Sequence, residues 1–288
     1  MKIGFYPGCS LNGTSREYNE SVKAIGKAMG IEWVELKDWN CCGATAAHSM
    51  DRKLSLALPV RILALAEKQG FEEVVVPCAS CYNRLSMAHY ELENSEELKD
   101  DILTIVGLPY RGTIRVINVL QFIEKYILTV LPEKIITPFA HQVACYYGCL
   151  LVRPHKILKF DRLEDPQSMD KVMSVLGASP IDWAFKTECC GAGLSVSRTD
   201  LVERLSGNIL KDAADRGAEA VIVACPMCHS NLDMRRPAIN RYLSEPVTIP
   251  ILYVTQAIGL AIGLSPKELG LQRHFVNVNF KDAEVCQE

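Results

Sequence analysis

No stretch of this 288-residue sequence is apolar for long enough to cross a bilayer. The longest, Ile251 to Leu264, has 14 residues and is interrupted by Thr255 and Gln256, against the roughly 20 that a spanning helix needs. An excess of one charge is also missing. The 31 Lys and Arg against 34 Asp and Glu leave a net charge of −3, which offers no electrostatic footprint for a nucleic acid or an anionic membrane. The opening "MKIGFYPGCS" lacks the apolar core and small-residue cleavage site of a secretory leader, so a soluble, cytoplasmic protein is expected. The glycines of "GATAAH" and "GAGLSVS" follow strand-like segments. The full G-x-G-x-x-G of a dinucleotide site is nevertheless absent, so no flavin or nucleotide is expected on this chain.

What the sequence has in excess is cysteine, 12 of them. In a chain without an export signal they are expected to be reduced, because cytosolic thiol buffers keep structural disulfides rare. A metal is then the first expectation, and spacing has to decide. The cysteines align an internal repeat. "YPGCSL" at Tyr6 to Leu11 matches "YYGCLL" at Tyr146 to Leu151, and "NCCGA" at Asn40 to Ala44 matches "ECCGA" at Glu188 to Ala192. "GFEEVVVPCASCYNRL" from Gly70 matches "GAEAVIVACPMCHSNL" from Gly217, and the three offsets are 140, 148 and 147 residues. The extra residues of the second half fall between Cys149 and Cys189, in a surface insertion placed within "HKILKFDRLEDPQSMD". A weaker echo, "INVLQFI" at Ile117 and "LYVTQAI" at Leu252, suggests that each repeat includes a final strand and helix. Two units are expected, residues 1–138 and 139–288.

Short apolar runs alternate with helical patterns in each half. "KIGFYP", "IEWVEL", "EEVVVP" and "TIRVIN" read as strands. The segment from Asn12 to Gly30, the one from about Lys53 to Gln69 and the one from Val119 read as helices, with Pro59 a potential kink in the second. Fully apolar strands such as "EEVVVP" suit a buried parallel sheet. The fold class is therefore α/β: two tandem Rossmann-like repeats with mostly parallel sheets covered by helices. Every cysteine group follows a strand and precedes a helix, so the groups should meet at the carboxyl ends of the strands.

Five thiols then converge in each half, in the patterns C-x31-C-C-x35-C-x2-C and C-x39-C-C-x34-C-x2-C. A structural zinc site would leave one of five without a task. A thioredoxin-like dithiol would explain "CASC" or "CPMC" but not the vicinal pairs. Iron–sulfur clusters fit better, because soft thiolates select them and several metal atoms are available for ligation. Gly43 and Gly191 then let backbone approach the inorganic core and adopt unusual dihedrals.

These motifs resemble the cysteine-rich CCG domain, present in tandem in the B subunit of heterodisulfide reductase, and the resemblance covers essentially the whole chain. It implies one noncubane 4Fe-4S cluster per motif, each held by five cysteines: Cys9, Cys41, Cys42, Cys78 and Cys81 for the first, Cys149, Cys189, Cys190, Cys225 and Cys228 for the second. The 34-residue gap of the second set departs from the family pattern by a one-residue deletion, which a loop absorbs. Cys145 aligns with Phe5, which favours packing over ligation, and Cys286 has no counterpart.

The resemblance further implies an oxidoreductase acting on a sulfur group, which reduces the mixed disulfide of coenzyme M and coenzyme B, with the substrate between two clusters and one sulfur captured at each. His48 and His229 are candidate proton donors, since histidine titrates near neutrality; for His229 a packing role beside the cluster is favoured. Arg153, His155, Lys156 and Arg198 are candidates for the anionic ends of the substrate. The implied partners are a ferredoxin-like C subunit, a flavin-containing A subunit, and a hydrogenase or formate dehydrogenase module. A CCG electron-transfer subunit of another anaerobic redox complex is the alternative, and a zinc-stabilised scaffold the third reading.

Overall fold

The computed structural model describes residues 1–44, 47–278 and 280. Among them, eight strands form two separate four-stranded sheets, and every pairing is parallel. The first holds β1 (Lys2–Phe5), β2 (Glu32–Glu35), β3 (Glu73–Val75) and β4 (Arg115–Ile117), in the spatial order β2-β1-β3-β4. The second holds β5 (Gln142–Tyr146), β6 (Ser179–Pro180), β7 (Ala220–Val223) and β8 (Ile251–Tyr253), in the order β6-β5-β7-β8. The same topology twice is the structural counterpart of the repeat in the cysteine spacing.

The central strands are apolar on both faces, as a helix-covered parallel sheet requires. Val74, Val75 and Val76 in one half and Val221, Ile222 and Val223 in the other have no exposed surface. Helix starts are set by local hydrogen bonds. Asp51 caps Arg52–Lys68 by accepting from Leu54 N at 2.7 Å, and this helix carries Pro59 in its interior. The weak echo between "INVLQFI" and "LYVTQAI" proves to be a shared cap. Gln121 Oε1 accepts from Asn118 N at 3.0 Å, and Gln256 Oε1 accepts from Tyr253 N at 2.9 Å, each reaching back to the start of its own helix. The apolar stretch from Ile251 is thus β8 followed by the helix Val254–Ala261. The segment after Asn12 begins its helix only at Arg16, and an additional short helix, Gly8–Asn12, carries Cys9. The insertion after Cys149 forms the helix His155–Leu158, an exposed loop over 162–165, and the helix Ser168–Val175.

The halves meet through Arg16–Ala28 of the first and Val254–Ala261 of the second. This contact is polar as well as apolar. Ser21 and Thr255 share a hydrogen bond of 2.7 Å, and Tyr18 stacks on Tyr253 with ring centroids 4.0 Å apart and planes 4° from parallel. All four side chains are fully buried. Arg273, from the segment beyond the last strand, returns to the first half and pairs with Glu20 at 2.9 Å.

Candidate metal centres

In an order such as β2-β1-β3, the chain leaves β1 to one side and returns on the other, which opens a crevice at the carboxyl ends of β1 and β3. The first cysteine set surrounds that crevice. Cys9 follows β1, Cys41 and Cys42 follow β2, and Cys78 stands at the N-cap of the helix Ala79–Glu93 with Cys81 in its first turn. The second set repeats the arrangement around β5, β6 and β7, with Cys225 at the N-cap of Pro226–Asp233 and Cys228 one turn on.

Sulfur atoms come together in both places. Cys9 Sγ lies 3.8 Å from Cys41 Sγ, Cys42 Sγ lies 3.2 Å from Cys81 Sγ, and Cys190 Sγ lies 3.6 Å from Cys228 Sγ. Two thiolates on one tetrahedral metal with bonds of about 2.3 Å would stand about 3.8 Å apart, so these separations suit ligands of a shared ion or cluster. Each set has an open and a closed side. Cys9, Cys41 and Cys189 are exposed, whereas Cys42, Cys78, Cys81, Cys190, Cys225 and Cys228 are buried.

Crowding divides the thiols electrostatically. Hydrogen bonds from Cys42 and Cys9, helped by Gly43 N–H at 3.4 Å, hold Cys41 down to about 2, and Cys42 is pushed up to about 12, chiefly by Cys41. In the second set Cys149 and the Gly191 N–H at 3.3 Å hold Cys189 down to about 6 against the effect of its burial, while Cys149 is raised, first by Cys189. Without a cation, a few thiolates survive only by sharing their neighbours' protons. A metal core would replace those protons and let all five sulfurs ionise, so the donor set fits an iron–sulfur group.

Gly43 and Gly191 adopt φ of +78° and +81° as expected, yet the space they save lies elsewhere. A Cβ on Gly43 would meet Ala47 Cβ and Leu58 Cδ1 at 2.9 Å, and one on Gly191 would meet Val202 Cα at 3.1 Å, so both admit their own chain. Close approach to sulfur belongs instead to Gly8 and Gly148, where a Cβ would stand 3.0 Å from Cys81 Sγ and from Cys228 Sγ. Both also have positive φ, +65° and +66°. Gly8→Ala and Gly148→Ala are each expected to lower stability by about 1–2 kcal/mol from backbone conformation alone, read by denaturant melts. Each should also reduce the metal content of its own half.

The tyrosines of "YPGC" and "YYGC" have a task that spacing did not suggest. Tyr6 OH donates to Asn40 O at 2.9 Å and Tyr146 OH to Glu188 O at 2.6 Å, so each phenol pins the residue before the vicinal pair. Asn231 was also missed. It donates to Cys190 O at 3.1 Å and approaches Cys190 Sγ at 3.6 Å, while Arg84 occupies the matching place in the first half.

The candidate proton donors are placed very differently. His48 is exposed, beside Ser49, at the edge of an open hollow that Arg52 and Glu91 also line. His229 is 3% exposed, stacked on Tyr253 at 4.4 Å, and burial drives its pKa well below the ordinary value. Tyr82, equally buried, takes its place in the first half, so the geometry favours packing for His229. Arg153, His155 and Lys156 are exposed just beyond Cys149. Arg198 is spent on Asp200 in a two-point ion pair of 2.9 and 2.7 Å. Cys145 is fully buried within β5, and Cys286 lies outside the described residues.

One further group brings metal-ligating atoms together, His229, Asp233 and His274 within 4.8 Å of one another. Its hydrogen bonds describe an anchor. Gln256 Nε2 donates to Leu269 O at 3.0 Å and Gln256 Oε1 is taken by Tyr253 N, so the remaining Nε2 proton points at His274 Nε2, 2.8 Å away. That nitrogen accepts, which leaves the proton on His274 Nδ1 and withdraws it as a ligand. Asp233 accepts from Phe275 N at 2.8 Å and Val276 N at 3.0 Å, tying the segment down.

Two parallel α/β units, each gathering five thiols at its switch point, define a tandem cysteine-cluster protein. The profile of the cysteine-rich CCG domain matches residues 3–86 and 143–233, and the chain belongs to that family. It is 32% identical over 290 residues, 97% of this chain and 95% of the relative, to the B subunit of the ferredoxin/F420H2-dependent CoB-CoM heterodisulfide reductase of Methanosarcina acetivorans. It is 30% identical over 280 residues, 96% of this chain and 97% of the relative, to the 8-methylmenaquinol:fumarate reductase membrane anchor subunit of Wolinella succinogenes. A solved structure of a hypothetical protein from Helicobacter pylori shares the fold with a TM-score of 0.79 at 16% identity, over 96% of this chain and 52% of that one. No helix among the described residues is long and apolar enough to cross a membrane.

Proposed function

We propose that this chain is the disulfide-cleaving component of a heterodisulfide reductase-type complex. Cys9, Cys41, Cys42, Cys78 and Cys81 would hold one noncubane 4Fe-4S cluster, and Cys149, Cys189, Cys190, Cys225 and Cys228 a second. The single observation that carries the reading is the duplication itself: two equivalent five-thiol sets, each with a buried floor and an exposed rim. When bound, such clusters supply single electrons and sulfur-binding iron. Cleavage of R–S–S–R′ consumes two electrons and two protons and yields two thiols, one for each site.

The protein's own groups do the remaining work. Buried Cys42, Cys78, Cys81 and their second-half equivalents keep water from the floor of each site. The Gly43 and Gly191 amides donate to rim sulfurs, which stabilises negative charge there. Exposed Arg153, His155 and Lys156 would offer cations to an anionic substrate such as the coenzyme M–coenzyme B disulfide, and exposed His48 would return a proton. Electrons would come from a ferredoxin-like C subunit, with a flavin-containing A subunit upstream.

Anaerobic analysis of the purified protein is expected to give about eight iron atoms and a matching amount of sulfide per chain. Stoichiometric zinc without sulfide would sink the reading. The Wolinella relative supports a second one, in which the same clusters pass electrons to a quinone or carrier within another redox complex. Turnover of a mixed disulfide with reduced viologen separates the two.

A further inference from the structure

The two cysteine sets belong to different sheets, and two side chains tie them together. Asn83, two residues past Cys81, donates to Leu150 O at 3.2 Å and Arg153 O at 2.7 Å in the loop after Cys149. Among the described residues one atom alone touches both C-x-x-C turns. Tyr18 OH lies 3.3 Å from Pro77 O and 3.3 Å from Ala224 O. Pro77 immediately precedes Cys78 and Ala224 immediately precedes Cys225, just past the ends of β3 and β7. Both residues are buried, and among the described residues neither carbonyl accepts from any other donor. Tyr18 is itself fully buried and clamped flat against Tyr253, which fixes where its hydroxyl points. A phenol has one proton, so it is shared between the two carbonyls.

This device has no twin among the described residues. The helix in the same place of the second half, Ser168–Val175 between β5 and β6, carries no tyrosine. A feature that breaks the repeat at the junction of its halves serves the pair of sites rather than either one. We infer that Tyr18 is a positioning residue that sets the two cysteine sites in register with each other, by binding the backbone at the entrance of both C-x-x-C turns to one hydroxyl. The inference deepens the two-site reading above, since a substrate that must meet both sites needs their separation fixed.

The test compares Tyr18→Phe, which keeps the ring stack and deletes only the hydroxyl, with Ser21→Ala, which removes the hydrogen bonds to Thr255 and to the Tyr18 backbone carbonyl but touches neither turn. In the protein as purified, amide hydrogen exchange in segments 77–82 and 224–229 should accelerate together by about tenfold in Tyr18→Phe. It should stay at the wild-type rate in Ser21→Ala. In the iron-loaded protein, Tyr18→Phe should keep its iron while the magnetic splitting between the two reduced sites changes. p-Aminophenylalanine at position 18, which restores a donor, should recover both signals. Acceleration confined to 77–82, or equal behaviour of Tyr18→Phe and Ser21→Ala, would overturn the inference. The exchange measurement needs no cluster, so failure of the iron analysis and failure of this inference are told apart.

Discussion

Replacing Cys42 by serine, or Cys190 by serine, is expected to lower disulfide reduction by more than about 100-fold, because loss of outer-sphere contacts alone costs 10–100-fold at metal sites. Each is the buried member of its vicinal pair, with Sγ at 3.2 Å from Cys81 and 3.6 Å from Cys228 respectively. A serine hydroxyl is a hard, protonated donor where a soft thiolate is needed. The floor of the site admits no substitute from solvent, since Cys42 is 2% and Cys190 3% exposed. Iron analysis should show that each variant loses the metal of its own half and keeps the other's. The two variants should be equally inactive, because a disulfide gives up neither sulfur cleanly when only one is received. Undiminished turnover in both would remove these residues from the mechanism. Two intact clusters in the wild type without any disulfide turnover would assign the chain to the electron-relay class.

Stability is expected to fall as pH drops from about 6.5 toward 4, by up to about 3 kcal/mol through His274, at about 1.4 kcal/mol for each pKa unit. Burial lowers His274 from 6.5 to about 4. The unfolded chain therefore takes up its proton first, and folding must expel it, so the contribution is intact above 6.5 and is lost as pH falls through the folded value. His229, lowered by burial in the same way, adds to this slope. Glu17 and Asp233 oppose it at the acid end. Burial raises both, so the folded state holds their protons more tightly than the unfolded one and gains as pH falls toward the ordinary carboxylate range. His274→Gln isolates the histidine: its melts should show a flatter dependence between pH 6.5 and 4 than the wild type. An unchanged slope would show that His274 titrates normally.

The gathering of the cysteines was legible in the sequence because their spacing survives in one dimension. "CCGA" and its copy, set against C-x-x-C, define both sites without a coordinate, and the apolar runs around Val74 and Val221 announce parallel strands. The roles of the small residues were not legible. Gly8 and Gly43 look alike in sequence, and only the fold turns Gly8 toward a sulfur and Gly43 toward Leu58. Histidine was legible as a type and not as a role. His229 sits next to Cys228 in the chain, yet it stacks on Tyr253 and is buried among packing groups. Contacts between the halves left no trace in spacing at all, since Tyr18 and Tyr253 obey the helix and strand patterns of their own units.

The hydrogen bond between Ser21 and Thr255 joins residues 234 positions apart. Each sheet, by contrast, closes within its own half. During synthesis the first unit can therefore complete its sheet and gather its thiols long before Thr255 leaves the ribosome. Until then Tyr18 and Ser21 face outward on a surface meant to be covered. A nascent chain stalled between the two units would present that bare surface together with a finished cysteine crevice, so docking of the halves is the last event of folding and the one at which aggregation competes most strongly.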